Sequence, residues 1–340
     1  MKKFKLLSLI LAVVIVVTSL SACTQPASND KKTLTVNIGT QEMPNDEGIA
    51  KQLNYIINNF DRLGYEVNIT SFSSGAKVNA ALLSGDIDFG LIGTCPIANG
   101  FSCGVDGEVI WIHDILDSAE SLAVKNSAGV DSVADLKGKS IAVPFASTAH
   151  YSLIKALEDA GLSEKDVTMY DMQPAEINAA WSRGDIDAAY VWEPTLSGLL
   201  SDGKIIVTSG DISDKGYMTA DLEVVRSEFA KEHPDVVKAY IAALDEAVKL
   251  YKYEKDTAVS AVANELGISE SDAKKQMGGY LWLEAKEQYE RYFENGALGE
   301  NLYSTAQFLL SQSSISSSLS NEEFKTRSDG KYISDYLKDN

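Results

Sequence analysis

The chain has 340 residues, of which 49 are Asp or Glu and 30 are Lys or Arg, so its formal net charge is −19 at pH 7. This acidity argues against nucleic acid as a partner, because nucleic-acid binding needs a basic surface. The length is sufficient for one large domain or for two lobes that each bury a core.

The first 22 residues are predicted to be a signal peptide. Three lysines within the first five residues precede an apolar run at 6–17, which is too short to be a convincing membrane span. The tetrapeptide Leu-Ser-Ala-Cys at 20–23 resembles a bacterial lipobox, which implies cleavage before Cys23 and lipid attachment to its sulfur. An ordinary secretory signal with a chance cysteine is the alternative. Residues 23–32 would then form a polar tether, and the mature charge would be −22, because residues 1–22 hold three lysines and no acids.

The other two cysteines, Cys95 and Cys103, leave two interpretations open. Their separation allows the chain to loop back into a disulfide, which an oxidising compartment would preserve. The alternative is a pair of free thiols. Their spacing matches no zinc motif, and we predict neither a metal site nor a cofactor.

Strands and helices alternate through the first two thirds of the chain. Helices are predicted at 48–62 and 149–160, and the pattern becomes mainly helical from about Glu228. Such alternation predicts an α/β fold with mostly parallel sheets covered by helices. The serine-rich stretch 311–320 is expected to be a surface loop rather than a linker, because aromatic residues beyond it can still pack. The predicted strands are 34–38, 67–69, 141–143 and 205–207, and the later helices are 236–251, 258–266 and 304–310.

Two segments of the chain resemble each other. Residues 82–92 and 181–191 share the sequence Gly-Asp-Ile-Asp, and each has a helical run, a glycine that can end a helix and then an apolar strand. Each is preceded by an apparent helix start and is followed by a turn that contains proline. The repeat predicts two structurally similar α/β lobes.

Ligands of open α/β sheets bind beyond the carboxyl ends of the strands, so the loops after the predicted strands are the candidate site. Several of these loops open a helix, where free N–H groups and the helix dipole favour an anion. None contains Lys or Arg, whereas Glu193 adds a carboxylate and Trp192 a wall. This mixture suits a zwitterion, although helix capping alone would also explain the Ser and Thr residues. The loops are 39–42, 73–75, 93–95, 146–148 and 192–193.

Two longer motifs resemble the signature of the taurine-binding proteins of ABC importers, within the nitrate, sulfonate and bicarbonate group. They are Val-Pro-Phe-Ala-Ser-Thr-Ala-His-Tyr-Ser-Leu at 143–153 and the segment 179–192, which ends in Tyr-Val-Trp. The resemblance covers most of 34–251 and implies a type II periplasmic-binding-protein fold, in which two α/β lobes close through a hinge on a central ligand cleft. Lobe one would comprise 33–118 and 221–340, and lobe two 119–220.

The resemblance also implies the residues of the cleft. Hydroxyls and helix N-termini would hold a sulfonate, and an acid would contact an ammonium. Ser74, Thr94, Ser147 and Thr148 would take the first role, Asp221 the second, and Trp192 would form a wall. The sequence departs from the taurine pattern at Met43 and Ser73, where acids are expected, and at Glu193, where a small residue is expected. The full predicted set is Thr40, Gln41, Ser74, Gly75, Thr94, Ser147, Thr148, His150, Trp192, Glu193 and Asp221.

These features predict an extracytoplasmic, lipid-anchored, monomeric solute-binding protein that captures taurine or a related sulfonate and delivers it to an ABC permease. The alternative within binding proteins is a thiamine pyrimidine precursor or another small amine or anion, for which Trp192, Tyr190 and Glu193 would be suitable. A surface lipoprotein used for adhesion or sensing is a third class. An enzyme is less favoured: His150 lies near Ser147 and Ser152, but no Gly-x-Ser-x-Gly elbow or His-Glu metal spacing is present.

Overall fold

The computed structural model describes residues 34–339, so the predicted signal peptide, Cys23 and the tether lie outside the described residues. The strands are β1 Thr35–Thr40, β2 Glu66–Ser71, β3 Phe89–Gly93, β4 Gly107–Leu116, β5 Glu120–Lys125, β6 Ser140–Val143, β7 Thr168–Asp171, β8 Ala188–Trp192, β9 Gly203–Thr208, β10 Ala220–Arg226 and β11 Tyr280–Leu281. The helices are α1 Asp46–Gln52, α2 Tyr55–Asp61, α3 Gly75–Ser84, α4 Thr94–Ser102, α5 Thr148–Asp159, α6 Pro174–Arg183, α7 Thr195–Leu199, α8 Ser209–Ser213, α9 Ser227–Glu232, α10 Pro234–Tyr253, α11 Lys255–Leu266, α12 Glu270–Met277, α13 Ala285–Gln288, α14 Ala297–Ser311, α15 Asn321–Arg327 and α16 Lys331–Asp339.

The strands form two sheets. The first has the order β11-β4-β10-β3-β1-β2 and the second has the order β7-β6-β8-β5-β9. The chain passes from the first to the second between β4 and β5, and it returns between β9 and β10. The division into two α/β lobes at 119–220 stays a prediction, although the strands of the second sheet all fall within that range.

The sheets are mixed, and the expectation of mostly parallel sheets is therefore wrong. The pairs that β1 makes with β2 and β3, and that β6 makes with β7 and β8, are parallel. In contrast, β10 runs antiparallel to β3 and β4, and β5 runs antiparallel to β8 and β9. β5 and β10 are the strands on which the chain enters a sheet after crossing from the other one. The short strand β11 also pairs antiparallel with β4.

The internal repeat is visible in the structure. The orders β3-β1-β2 and β8-β6-β7 have the same parallel topology, and α3 and α6, which both have 10 residues, end at equivalent glycines. The second aspartate of each Gly-Asp-Ile-Asp sequence has the same role, because Asp88 accepts a hydrogen bond from the Asn37 amide and Asp187 from the Ser140 amide, both at 2.9 Å. Each aspartate thus fixes the first strand of its own repeat.

The predicted helix at 48–62 is two helices, α1 and α2. Asn54 adopts a left-handed conformation with φ of 59° between them, and this breaks the helical hydrogen bonding. The region after Arg226 is mainly helical, as expected, and the segment 312–320 connects α14 to α15. Phe324 and Tyr336 beyond that segment are buried, which agrees with a surface loop rather than a linker.

The interior of the first sheet is aromatic. Phe60, Phe89 and Tyr240 pack edge to face or tilted, with ring centroids 4.9 to 6.5 Å apart, and all three are fully buried. Burying each such ring stabilises the fold by roughly 2–3 kcal/mol.

Cys95 and Cys103 are free thiols, the first buried and the second exposed, and burial raises the pKa of Cys95 to about 12. Among residues 34–339, none of the helices has the length and apolar character that crossing a bilayer demands.

Replacing either equivalent glycine with alanine should destabilise the protein through the backbone alone. Gly85 and Gly184 have φ of 78° and 79°, and no atom lies within 4 Å of the Cβ that alanine would add. A left-handed alanine costs about 1–2 kcal/mol, so Gly85→Ala and Gly184→Ala should each lower the free energy of unfolding by about that amount, as measured by denaturant titration. Unchanged stability in either variant would contradict the assigned helix ends.

Candidate ligand-binding site

A narrow cavity lies between the ends of the two sheets. Its walls touch: a Cβ on Gly93 of the first sheet would stand 2.7 Å from the Cγ2 of Thr148 beyond the second, so only glycine permits this approach. Among the residues that line the cavity, all within 34–339, there is no Lys or Arg. They are Gln41, Met43, Gly75, Gly93, Pro96, Leu116, Glu120, Ser147, Thr148, Trp192 and Asp221.

One end of the cavity is acidic. Asp221 on β10 lines the wall, and Asp114 lies beside it on β4 as its partner in the strand register. Both are buried, and neither carboxyl oxygen of Asp114 has a hydrogen-bond partner among the described residues. Glu120, the first residue of β5, is fully buried and accepts hydrogen bonds from Ser209 Oγ at 2.6 Å and Thr148 Oγ1 at 2.5 Å.

Burial makes these carboxyls hard to ionise. Desolvation raises the pKa of Asp221 to about 7, against the nearby charge of His113, which lowers it. Desolvation also raises the pKa of Glu120 to about 8, although the Ser209 and Thr148 hydroxyls lower it. For Asp114, desolvation and the neighbouring Asp221 together raise the pKa well above its usual range. A cation that donates hydrogen bonds would relieve this excess of buried acceptors.

Two helix N-termini also contribute to the wall of the cavity. Gly75 begins α3 and Thr148 begins α5, and these helices have 10 and 12 residues. Ser74 at the start of α3 makes no side-chain capping bond, and the Lys77 amide donates to the Ser74 carbonyl at 3.0 Å, so the Gly75 and Ala76 amides are the donors that α3 can offer. Free amides and the helix dipole make this end suitable for an anion. The cavity wall therefore combines buried carboxyl acceptors with backbone donors at helix N-termini.

Comparison with known proteins identifies the family. Residues 34–263 match the family model described as the substrate binding domain of ABC-type glycine betaine transport system. The chain belongs to this family of ABC-transporter substrate-binding domains. It is 37% identical over 258 residues to the taurine-binding periplasmic protein of Escherichia coli (strain K12), which covers 74% of this chain and 79% of that protein. The resemblance inferred from the two motifs is thus confirmed.

Solved structures agree with the expected periplasmic-binding fold. The aliphatic sulphonate binding protein SsuA from Escherichia coli has a TM-score of 0.71 at 19% identity and covers 86% of this chain and 91% of its own. The desulfurization enzyme DSZB has a TM-score of 0.67 at 16% identity and covers 90% of this chain and 99% of its own. At these identities the similarity concerns the fold alone, and the enzyme shows that this fold also supports catalysis.

Six of the predicted residues of this substrate-binding protein line the cavity: Gln41, Gly75, Ser147, Thr148, Trp192 and Asp221. The hydroxyls of Ser147 and Thr148 are hydrogen-bonded to other groups of the protein. Ser147 Oγ donates to the Pro144 carbonyl at 2.6 Å and accepts from the His150 amide at 3.1 Å, which is the capping role weighed from the sequence. Because Thr148 donates to Glu120, the backbone amides of α5 rather than its hydroxyls are the donors available to an anion.

Three predicted residues point elsewhere. Thr40 donates to Glu47, away from the cavity. His150 stacks on Phe145 with ring centroids 4.6 Å apart, and burial lowers its pKa to about 4, so it is neutral and does not line the cavity. Glu193 accepts from the Ser197 amide at 2.9 Å and from Ser197 Oγ at 2.8 Å, and this capping role occupies its carboxylate.

Thr94 and Ser74 lie next to the cavity without lining it. Thr94 Oγ1 accepts a 3.5 Å hydrogen bond from the Ala220 amide and is fully buried.

Sequence reasoning missed Asp114 and Glu120, the acids that complete the acidic end with Asp221. Their signal is a charged residue inside an apolar strand: Asp114 interrupts the buried run of β4, and Glu120 opens the buried strand β5.

A polar network behind the acidic end holds His113 in its charged form. Burial lowers the pKa of His113, but Asp46 at 2.6 Å and Glu223 at 2.9 Å accept from its two ring nitrogens and raise the pKa well above its usual value. Trp111 Nε1 also donates to Asp46 at 2.7 Å. Both N–H groups of His113 are therefore engaged, so it adds positive charge near Asp114 and Asp221 without donating to them.

In the described part of the chain, no group of three or more metal-ligating side chains is placed to hold a metal ion.

The ligand-free protein should lose stability as the pH rises from about 5 to about 8. A carboxyl whose pKa is raised by folding binds its proton more tightly in the folded state, and this contribution is lost as the pH rises through the folded value, which is about 7 for Asp221 and about 8 for Glu120. Thermal melts at several pH values should show a falling midpoint, and the slope should be smaller in Asp221→Asn. The exposed Asp214→Asn variant should keep the wild-type slope. A midpoint that rises over this range would contradict the assignment.

Proposed function

We propose that the protein captures taurine or a closely related short aminosulfonate outside the cytoplasmic membrane and delivers it, as a monomer, to the permease of an ABC importer. The observation that carries this proposal is the composition of the cavity wall, which combines buried carboxyls with helix N-termini and, among the described residues that form it, contains no Lys or Arg. The 37% identity to the taurine-binding periplasmic protein supports the same ligand class.

The acidic end favours a zwitterion over a plain anion. An alkanesulfonate, nitrate or bicarbonate would bring negative charge next to Glu120 and Asp221 with nothing to offset it. Taurine carries an ammonium that matches these acids and a sulfonate that matches the amides of α3 and α5. The two heads also span the two sheets, so one ligand would contact both walls of the cleft.

The acidic end also favours an ammonium with N–H groups over a quaternary one. A trimethylammonium such as that of glycine betaine donates no hydrogen bonds and is recognised by several aromatic faces. Trp192 is the aromatic residue among those that line the cavity. For the same reason a thiamine pyrimidine, which relies on aromatic stacking, is less favoured than an aminosulfonate.

Transport follows from closure of the two walls on the ligand. A ligand that contacts both sheets stabilises the closed form by its differential affinity for that form, and the closed form would dock on the permease. A second, more open depression shares Gln41 and Trp192 with the cavity and would be the route of entry for the ligand. Across it, Ser73 Oγ lies 3.5 Å from Gln173 Oε1, so polar side chains of the two walls already meet at this opening.

A thermal-shift panel on residues 33–340 would test the ligand class. Taurine should raise the melting midpoint at neutral pH, whereas ethanesulfonate, nitrate, glycine betaine and a thiamine pyrimidine should have little effect. At a hundred-fold excess over its dissociation constant, a ligand stabilises the folded state by about 2.7 kcal/mol, which a melt detects readily. Absence of any shift with taurine and with other aminosulfonates would refute the proposed ligand and leave the family assignment unaffected.

Asp221→Asn would test the role of the acidic end. Loss of a charged acceptor for the ammonium should weaken taurine binding by roughly 10- to 100-fold, about 1.5–3 kcal/mol, as measured by calorimetry. Glu193→Gln is the matched control, because the Glu193 carboxylate caps α7 through Ser197 and should change the affinity much less. Equal effects of the two substitutions would show that Asp221 does not contact the ammonium.

We also propose that Cys23 carries a lipid that holds the protein at the cell membrane. The support is the lipobox-like sequence at 20–23 and the polar segment that follows it. Cys23→Ser should release the protein into the medium, as detected by immunoblotting of cell and medium fractions. Cys103→Ser, which removes an exposed free thiol from the folded part, should stay with the cells. Retention of Cys23→Ser at the membrane would contradict the anchor.

A further inference from the structure

Asp114 and Asp221 form a pair of buried carboxyls at the wall of the cleft. They are partners in the register of β4 and β10, and they are 0% and 5% exposed. Only Asp221 lines the cavity, so Asp114 lies behind it and can affect a ligand only through Asp221. The other titratable groups near the pair are Asp46, His113, Glu120, Glu193 and Tyr280.

None of these neighbours is shown donating a hydrogen bond to Asp114. His113 has both ring nitrogens engaged by Asp46 and Glu223, and the Tyr280 hydroxyl is buried without a partner among the described residues. Two buried carboxylates side by side cannot both remain ionised at low cost, whereas one shared proton supplies the missing hydrogen bond and removes one charge. The geometry thus favours a singly protonated pair in the empty cleft.

We propose that Asp114 is a positioning residue that holds a proton on the Asp114–Asp221 pair when the cleft is empty, and that the ammonium of the ligand expels this proton. The inference rests on the proposed function, since it requires a ligand with an ammonium. In the empty cleft the pair has one proton and a charge of −1. In the complex both carboxylates are ionised, the ammonium adds +1, the local charge is again −1, and the expelled proton passes to the buffer.

This exchange distinguishes ligands by charge as well as by size. Isethionate has the sulfonate and nearly the size of taurine, but a neutral hydroxyl replaces its ammonium. Its binding would leave the proton on the pair, because nothing offsets a second negative charge. Proton release therefore reports whether a cation reaches Asp221, independently of whether the sulfonate is bound.

Isothermal titration calorimetry at pH 7 in two buffers of different ionisation enthalpy measures the proton count directly. Taurine binding to the wild-type protein should release about one proton, and between pH 6 and pH 7 its affinity should rise by up to about 10-fold per pH unit. Isethionate, where its binding is measurable, should release close to none. Taurine binding with no proton release at either pH would overturn the inference and leave the proposed function intact. No binding of any aminosulfonate would instead refute the proposed function.

Asp114→Asn and Glu120→Gln would identify the source of the proton. Asparagine at 114 can donate to Asp221, so Asp221 would already be ionised and taurine should release little or no proton, while the variant still binds. Glu120 also has a raised pKa and is the other candidate source of the proton. Whatever the affinity of Glu120→Gln for taurine, each taurine that binds to this variant should still release about one proton. Release that persists in Asp114→Asn and disappears in Glu120→Gln would assign the proton to Glu120 and contradict the proposal. The wild-type measurement stays decisive if either variant folds poorly.

Discussion

β4 and β5 carry Asp114 and Glu120 into the interior at the crossing between the two sheets, and β10 brings Asp221 beside them on the return. Three carboxyls are therefore buried where the chain passes between the sheets, and the described residues that line the adjoining cavity include no Lys or Arg. Such an arrangement costs free energy unless the acids are protonated, are hydrogen-bonded or meet a cation. The polarity of the cleft depends on which of these acids are protonated, which are hydrogen-bonded and which are left for a cation.

Two neighbouring groups of buried acids differ in how many hydrogen bonds and opposite charges the protein gives them. Asp46 and Glu47 are hydrogen-bonded within the protein, Asp46 to His113 and Glu47 to the Tyr240 hydroxyl at 2.8 Å. Glu223 contacts His113 through one carboxyl oxygen, and its other oxygen has no partner among the described residues. Asp114 has no such partner. The first group is therefore structural and holds the strands in place, whereas the second keeps an excess of acceptors beside the cavity. A site that binds a cation needs carboxyl oxygens that have no donor within the protein, because an acid whose oxygens are all hydrogen-bonded has no acceptor left for the ligand.

The sequence predicted the architecture better than the side-chain roles. The Gly-Asp-Ile-Asp repeat predicted the duplicated strand and helix arrangement, because a glycine that ends a helix and an aspartate that fixes a strand leave a readable local pattern. The strand-exit rule found Gln41, Gly75, Ser147 and Thr148. Asp114 and Glu120 were missed because a charged residue in an apolar strand marks each of them locally but does not tell which other acids it meets. That depends on the long-range pairing of β4 with β10 and of β5 with β8. For Glu193 the orientation of one side chain decides the role, since its carboxylate turns to Ser197.

The repeat also shows why the two halves of the cleft differ. In each repeat a helix follows the first strand: α1 follows β1, and α5 follows β6. The first two residues of α1 are Asp46 and Glu47, so the protein itself supplies negative charge at that N-terminus, where the helix dipole stabilises it. The equivalent start of α5 is Thr148-Ala149, which has no acid, and its amides face the cavity. Equivalent positions thus hold the protein's own carboxylates in one repeat and carry no acid in the other, so the duplicated fold leaves only the N-terminus of α5 open to the anion of a ligand.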